Sequence, residues 1–287
     1  MFCSNVIEFL GTCQNTNGGY GYRPGAKSEV ESTRFSIQTL CLLGEPIPGR
    51  RKCVKWINQC LTSDGFASKP CGPLSLATTY YATLSLNLLK TTVPNRNSIV
   101  KFVSSLRSEG GGFRGVKDKE NSMDETYYGL QSINNLRATV PGRDRTIKFI
   151  ESCQNLAGGF ANKPAEIADM DHTYVSISSL NLLGESVPNK YAHIRYIKSC
   201  QTEEGGFSFK PDLKADVAST YWATHSILHL KSTVPNLEGC LAFIKSCQRK
   251  SGGLTSSPKS RSKPQVWHTY CGVHSHYLLT RGKEKVS

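Results

Sequence analysis

The sequence predicts an all-α protein, a closed double ring of six helical hairpins with about twelve helices. The first observation behind this prediction is a sixfold repeat of a glycine turn, a polar loop, a threonine with aromatic residues just after it, and a leucine-rich run. The recurring threonines lie 46, 47, 47, 47 and 49 residues apart: Thr33, Thr79, Thr126, Thr173, Thr220 and Thr269. A fixed period of this length indicates one supersecondary unit that is stacked repeatedly.

The first half of each repeat is predicted to be a helix that ends at the glycine turn. In the fifth repeat, apolar residues recur at helical spacing at Tyr191, Ile194 and Ile197. Gly205-Gly206 follows, and glycine tolerates the left-handed conformation in which helices commonly end. No window shows sustained alternation of polar and apolar residues, so strands are not expected.

The second half of each repeat is predicted to be another helix, which starts at a polar cap. In the fifth repeat, the segment 216–219 supplies side chains suited to an N-cap, and Thr220 opens the helix. Val234-Pro235 is expected to close it, because the residue before a proline avoids the helical conformation. The first and last repeats are as apolar as the middle ones, which favours a closed ring over an open solenoid. We therefore expect residues 1–287 to form one domain.

Composition narrows the classes of partner. The net charge of +13 is spread along the chain, so we expect no nucleic-acid interface and consider an anionic small ligand instead. No apolar stretch is long enough to cross a membrane, and a cytoplasmic location is expected. Several of the eleven cysteines occupy one repeat slot before glutamine, as Cys153 and Cys200 do, which favours buried thiols over disulfides.

The loops before the second helices are expected to meet at one mouth of the ring, where helix N-termini attract anions. Helix capping alone explains about half of the acidic residues there, but not the two histidines. The candidate residues at the mouth are Asp124, Asp169, Asp171, His172, Asp216 and His268.

Basic and aromatic residues in matching repeat slots are candidates for binding a substrate. Three basic residues directly precede a proline: Arg23, Lys163 and Lys210. They either form a basic rim that binds a diphosphate or are solvated charges before a turn. Aromatic residues follow the threonines and either line an isoprenoid cavity or form plain core. The chosen candidates are Tyr127, Tyr174, Tyr221 and Trp222.

The repeat resembles that of protein prenyltransferase β subunits and terpene cyclases. The resemblance lies in Cys153-Gln154 with Gly158-Gly159-Phe160, and in Cys200-Gln201 with Gly205-Gly206-Phe207, and it extends over nearly the whole chain. It implies an α6/α6 toroid. The segment 242–248 looks most like the Rab-type geranylgeranyltransferase β subunit.

From the resemblance we predict a divergent protein prenyltransferase β-like subunit, which would transfer a prenyl group to a cysteine thiol, and keep two alternatives. Asp216 and His268 match two zinc ligands of the family, but Ala218 stands where the family has its cysteine ligand. Lys210 matches a residue that contacts diphosphate, and Trp222 matches the lipid pocket. This reading implies an isoprenoid diphosphate, such as geranylgeranyl diphosphate, with magnesium possible beside it. The implied partners are an α-like subunit and a small GTPase or another Cys-tailed protein.

A cyclase reading implies chemistry without a partner. The class II cyclases carry Asp-x-Asp-Asp-Thr or a close variant, and 169–173 matches it apart from its variable fourth position. Asp171 would then protonate an isoprenoid alkene, with Asp169 and His172 beside it. A third alternative is a non-catalytic toroid that binds a lipid or a protein.

Overall fold

The structure, a computed structural model, describes residues 2–284, with side chains from residue 5 to residue 280. This part of the chain contains twelve helices and four two-residue strands. In chain order they are α1 (Phe2–Cys13), α2 (Val30–Leu43), α3 (Arg50–Gln59), α4 (Leu76–Leu88), α5 (Arg96–Ser105), β1 (Phe113–Arg114), β2 (Asn121–Ser122), α6 (Met123–Asn135), α7 (Arg143–Ser152), α8 (Met170–Leu182), α9 (Lys190–Ser199), β3 (Phe207–Ser208), β4 (Ala215–Asp216), α10 (Val217–His229), α11 (Leu237–Ser246) and α12 (Val266–Glu284).

Each repeat contains two helices, as the sequence predicted, but the short strands were not expected. β1 pairs antiparallel with β2, and β3 with β4. Each pair joins the residue after a glycine turn to the residue that caps the next helix, for example Phe207 to Asp216. The pairing is two residues long, which is too short to leave an alternating pattern in the sequence.

The chain packs as two compact units, residues 1–6 with 147–287 and residues 7–146. Even-numbered helices pack side by side within each unit, α8 with α10 and α12 in the first, and α2 with α4 and α6 in the second. Odd-numbered helices pack against them, as α11 does against α12. The single-domain interpretation stays a prediction. None of the described helices is long and apolar enough to cross a bilayer.

The repeated threonine ties the two halves of each repeat together. In all six repeats its buried hydroxyl accepts a hydrogen bond from the backbone N–H that follows the glycine turn, at 2.9 to 3.2 Å. In the fifth repeat, Thr220 accepts from Phe207 at 2.9 Å and donates to the Asp216 carbonyl at 2.7 Å. Only a hydroxyl both accepts and donates here, which explains why the residue recurs.

The glycine turn has a different role from the predicted helix stop. Helix α9 already ends at Ser199, and Gly205 lies in the following turn with φ of 89°. A Cβ atom on Gly205 would lie 2.3 Å from the backbone of Gly239, at the start of α11. The glycine is therefore needed because another backbone approaches closely and because φ is positive.

The even-numbered helices end earlier than the Val-Pro pairs predicted. Helix α10 ends at His229, and Lys231 takes the left-handed conformation with φ of 51°. Lys90 and Arg137 do the same in their repeats, while Gly184 supplies a glycine at the equivalent position. Val234-Pro235 directly precedes Asn236, the N-cap of α11. The Val-Pro pair therefore marks the start of the next helix.

Candidate functional site

Each even-numbered helix carries three residues at spacing i, i+3 and i+7, which places them on one face. Counted from the repeated threonine, they lie two residues before it, one after it and five after it. We call these positions the first, second and third layers. In the unit that contains residues 147–287, the layers are Asp171, Ala218 and Trp267, then Tyr174, Tyr221 and Tyr270, then Ser178, His225 and His274.

The second layer is a hydrogen-bonded row of three phenols. The hydroxyl of Tyr221 lies 3.1 Å from that of Tyr174 and 3.0 Å from that of Tyr270. The ring centroids of the same pairs are 5.5 and 5.3 Å apart. Two of the predicted substrate-binding tyrosines, Tyr174 and Tyr221, are thereby brought into contact across α8 and α10.

The first layer of this unit combines aromatic surface with one carboxyl group. The Trp267 ring stacks on Tyr270 at 5.8 Å and lies 6.2 Å from Trp222, the predicted lipid-pocket residue. Ala218 is buried, whereas Asp171 is half-buried and lies one helical turn before Tyr174. Asp171 therefore lies on the same helix face as the aromatic row.

The third layer is polar: His274 is buried, whereas Ser178 and His225 are half-buried. The His225 ring lies 4.2 Å from Tyr221 and 5.8 Å from Tyr174. Burial, with His229 nearby, lowers the pKa of His225 to about 3, so this imidazole is neutral at physiological pH. The Nε2 atom of His225 and the hydroxyl of Ser178 are buried without a hydrogen-bond partner among the described residues.

Asp169 and His172 form a pair that caps helix α8. One carboxylate oxygen of Asp169 accepts from the His172 backbone N–H at 3.0 Å, and the other lies 2.7 Å from His172 Nδ1. Asp169 is only 6% exposed. The two side chains are therefore hydrogen-bonded to each other. Asp171 lies between them in sequence.

Of the two predicted zinc ligands, Asp216 is engaged as the N-cap of α10. One of its carboxylate oxygens accepts from the backbone N–H of Ser219 at 2.9 Å, and the other accepts from the Ser219 hydroxyl at 2.6 Å. Burial lowers the pKa of His268, and the nearby charge of Asp216 opposes this shift. The Nδ1 atom of His268 is buried and has no hydrogen-bond partner among the described residues.

A tetrahedral zinc site needs at least three protein ligands, and Ala218 removes one. Among the described residues, no group of three or more histidine, cysteine or acidic side chains could hold a metal ion. Cys271, the substitute considered because it follows His268 by one turn, is buried but joins no such group. The residues present do not fit zinc.

The predicted basic residues lie in three separate loops. Lys210 places its ammonium nitrogen 5.7 Å from the Phe209 ring, and Lys163 is half-buried. Arg23 belongs to the other unit, where its guanidinium lies 5.2 Å over the exposed Tyr22 ring. Binding of a diphosphate by these residues stays a prediction.

The unit that contains residues 7–146 has a different set of layer residues. Arg34 occupies its second layer, is buried, and donates to the Tyr80 hydroxyl at 3.0 Å. Its guanidinium also lies 4.3 Å over the Phe35 ring. Tyr127 packs edge-on against Tyr80 at 5.8 Å. The buried cation and its aromatic neighbours form one cluster.

Two glutamates of this unit have raised pKa values. Partial burial raises the pKa of Glu31, and Arg34 opposes this shift, although the residue as a whole is exposed. Burial, with Asp124 and Asp118 nearby, raises the pKa of Glu125 to about 7. Asp124 lies in the first layer, the position that Asp171 holds in its own repeat.

The sequence interpretation missed His225, Ser178 and Arg34. The candidate residues predicted for the mouth all precede the repeated threonine, whereas these three residues follow it. The signal that identifies the missed residues is the same alignment continued past the threonine. One residue after it, arginine replaces tyrosine in the first repeat, and five residues after it the residue is polar in every repeat except the second.

Comparisons with known proteins agree on the fold. A family model described as prenyltransferase alpha-alpha toroid domain matches residues 3–71 and 48–287. Protein geranylgeranyltransferase-I from Candida albicans, solved with GGPP, is 16% identical with a TM-score of 0.79, over 99% of this chain and 92% of that one. No curated protein sequence matches the chain.

Terpene cyclases are also similar in structure. Type II terpene cyclase MstE from Scytonema, solved with geranylgeranyl dihydroxybenzoate, is 13% identical with a TM-score of 0.70, over 98% of this chain and 97% of that one. The ent-copalyl diphosphate synthase from Streptomyces platensis is 13% identical with a TM-score of 0.61, over 88% of this chain but 50% of that one. The predicted α6/α6 toroid fold class is confirmed.

Proposed function

The chain belongs to the prenyltransferase alpha-alpha toroid domain family, and on that premise we propose that it is an acid-initiated, class II type isoprenoid cyclase. The observation that carries this proposal is the position of Asp171, one helical turn before the hydrogen-bonded row of Tyr174, Tyr221 and Tyr270. A cyclase of this type needs an acid beside an aromatic surface, because aromatic rings stabilise carbocations through their negative faces.

In the proposed reaction, the neutral carboxyl of Asp171 adds its proton to a terminal alkene of the substrate. The alkene electron pair forms the new C–H bond and leaves a tertiary carbocation, which a neighbouring alkene attacks to close a ring. Loss of a proton from carbon ends the sequence, and Asp171 regains a proton from solvent, so the net reaction is an isomerisation. Asp169 and His172 position the start of α8 through their 2.7 Å contact.

The length of the chain is compatible with this proposal. The match covers 98% of this chain and 97% of the MstE chain, so the two chains are similar in length. The substrate bound in that structure, geranylgeranyl dihydroxybenzoate, indicates which compounds to test first. Magnesium would enter only with a diphosphate substrate, and we assign it no residue of this chain.

Incubation of the purified chain alone with geranylgeranyl diphosphate, geranylgeraniol and geranylgeranyl dihydroxybenzoate tests the proposal. We expect a cyclised product by mass spectrometry, and its loss in Asp171→Asn, since removing a catalytic acid costs a factor of at least about 100. Asp124→Asn is the matched control, because Asp124 occupies the same layer of another repeat. Full activity of Asp171→Asn would remove Asp171 as the acid.

A second candidate function is a divergent protein prenyltransferase β-like subunit. It is favoured by the buried, unpartnered Nδ1 of His268 near Asp216. This function would require an α-like subunit and a small GTPase or another protein with a C-terminal cysteine. The incomplete zinc donor set argues against it, because the thiol must be activated as a thiolate.

Zinc binding separates the two candidates. Ala218→Cys restores the missing ligand type, and we expect it to raise zinc affinity at least tenfold over the wild type if Asp216 and His268 converge on one ion. Near-stoichiometric zinc in the wild-type protein, lost in His268→Ala, would favour the transferase and overturn the cyclase proposal.

A further inference from the structure

The third layer of the unit that contains residues 147–287 has hydrogen-bonding capacity that the protein does not use. The Nε2 atom of His225 and the hydroxyl of Ser178 are buried without partners among the described residues. Buried polar atoms in native proteins nearly always have a partner in the protein, in water or in a ligand. Two such atoms on neighbouring helices therefore indicate a missing hydrogen-bonding group.

The two atoms belong to the same part of the structure. Helices α8 and α10 pack side by side, and His225 reaches toward α8, where its ring lies 5.8 Å from that of Tyr174. Ser178 follows Tyr174 by one helical turn on the same face. His225 also lies one turn after Tyr221 and contacts its ring. Ser178 and His225 therefore both lie one helical turn from the row of tyrosines.

We propose that Ser178 and His225 form a binding subsite for an uncharged polar head group, a hydroxyl or carbonyl, of the isoprenoid substrate. This inference rests on the proposed cyclase function and names its substrate class, a prenyl alcohol or a related neutral prenyl compound. A serine hydroxyl both donates and accepts, and a neutral imidazole nitrogen does one or the other according to tautomer. The pair therefore suits a group that can also do both.

Charge disfavours a diphosphate in this subsite. His225 is neutral because burial opposes its protonation. His229, the other titratable residue that acts on it, lowers the pKa of His225 further. An anion bound here would contact only two neutral groups and aromatic rings. These contacts do not offset the free-energy cost of removing the anion from water.

The distance from the acid fits a substrate bound with its head in the third layer. Ser178 lies seven residues after Asp171 on α8, which corresponds to about 10 Å along the helix. A prenyl chain with its head group at Ser178 and His225 would extend back along the phenol row toward Asp171. Its terminal alkene would then reach the acid that starts the reaction.

Binding measurements test the subsite without requiring turnover. Geranylgeraniol and its analogue with hydrogen in place of the hydroxyl are delivered in cyclodextrin, and quenching of Trp222 and Trp267 fluorescence reports their affinity. We expect the wild type to bind the alcohol about tenfold more tightly. The double variant Ser178→Ala, His225→Phe should bind both compounds within twofold, with its fold checked by circular dichroism.

Several outcomes would overturn the subsite. Equal binding of alcohol and hydrocarbon by the wild type would mean that the two polar atoms hold an ordered water only. Tighter binding of geranylgeranyl diphosphate than of the alcohol, unchanged in the double variant, would place the head group elsewhere.

Failure of the cyclase proposal looks different from failure of the subsite. Wild-type protein that discriminates between alcohol and hydrocarbon but yields no cyclised product would leave the subsite and remove the reaction. Asp171→Asn should retain the discrimination, because Asp171 lies in the first layer and not in the third.

Discussion

Replacing Thr220 with valine removes one hydroxyl and leaves the side-chain volume almost unchanged. The backbone N–H of the fully buried Phe207 loses its acceptor at 2.9 Å, and the Asp216 carbonyl loses a donor at 2.7 Å. A buried donor left unpaired costs about 1–3 kcal/mol. We therefore expect Thr220→Val to lower the free energy of unfolding by about 2 kcal/mol and the melting temperature by about 3 °C.

Urea unfolding followed by circular dichroism measures this loss, with calorimetry for the melting temperature. Thr220→Ser keeps the hydroxyl and should lose only about 1 kcal/mol, the value of one buried methyl group. Thr92→Val is the matched control, because Thr92 is exposed and should change stability by less than about 0.5 kcal/mol. If Thr220→Val were as stable as the Thr92 variant, the threonine would not anchor the repeat.

Four further predictions concern single positions. Gly205→Ala should cost more than about 2 kcal/mol in urea unfolding, since its Cβ meets the Gly239 backbone and its φ is 89°. Lys231→Gly should stabilise by about 0.5–1 kcal/mol, because φ of 51° suits glycine. The pKa of buried His193 is about 4, so stability should fall by up to about 3 kcal/mol as pH drops from 6.5 to 4, and His193→Gln should flatten this slope. The raised pKa of Glu125, about 7, means that stability should fall as pH rises from 4.5 through 7, and Glu125→Gln should remove this loss.

Each of these predictions has its own control or contrary result. Gly184→Ala has a similar positive φ, 74°, but open space around its Cβ, so it should cost clearly less than the Gly205 variant. Equal losses of unfolding free energy in the two variants would mean that the close approach of the Gly239 backbone to Gly205 is unimportant. Wild-type and His193→Gln proteins with the same pH slope would show that burial does not keep His193 neutral. A Lys231→Gly protein less stable than the wild type would count against backbone strain at Lys231. A Glu125→Gln protein that still loses stability between pH 4.5 and 7 would assign that loss to another titratable group.

The repeat period was sufficient to predict two helices per repeat, because a stacked unit leaves the same pattern six times. Closure into a toroid needed the apolar end repeats and the family resemblance as well. It also predicted the cap at Asp216, since the side chain of an N-cap bonds to its own local backbone. The period could not predict that Asp169 would bond to His172, because the same carboxylate could equally have faced a ligand.

The polar third layer shows a different limit of sequence interpretation. Histidine five residues after a threonine is compatible with a core position, a ligand or solvent. Only the packing of α8 against α10 shows that the His225 ring lies beside Tyr174 and Tyr221 and that its Nε2 atom has no partner among the described residues. Similarly, Lys231 carries no glycine-like signal, yet it takes the left-handed conformation at the end of α10, where the Ser232 N–H donates to the Ile227 carbonyl at 2.9 Å.

The sixth glycine turn has a consequence for how the chain assembles. A Cβ atom on Gly252 would lie 1.7 Å from the carbonyl oxygen of Asn5 in α1, so this turn rests on a helix that is 252 − 5 = 247 residues away in sequence. The fifth turn rests on Gly239, which is 239 − 205 = 34 residues away. Contacts between residues far apart in sequence form slowly, because a long loop must close first. During synthesis, α1 is made before this turn, so the contact cannot form until residue 252 has been added.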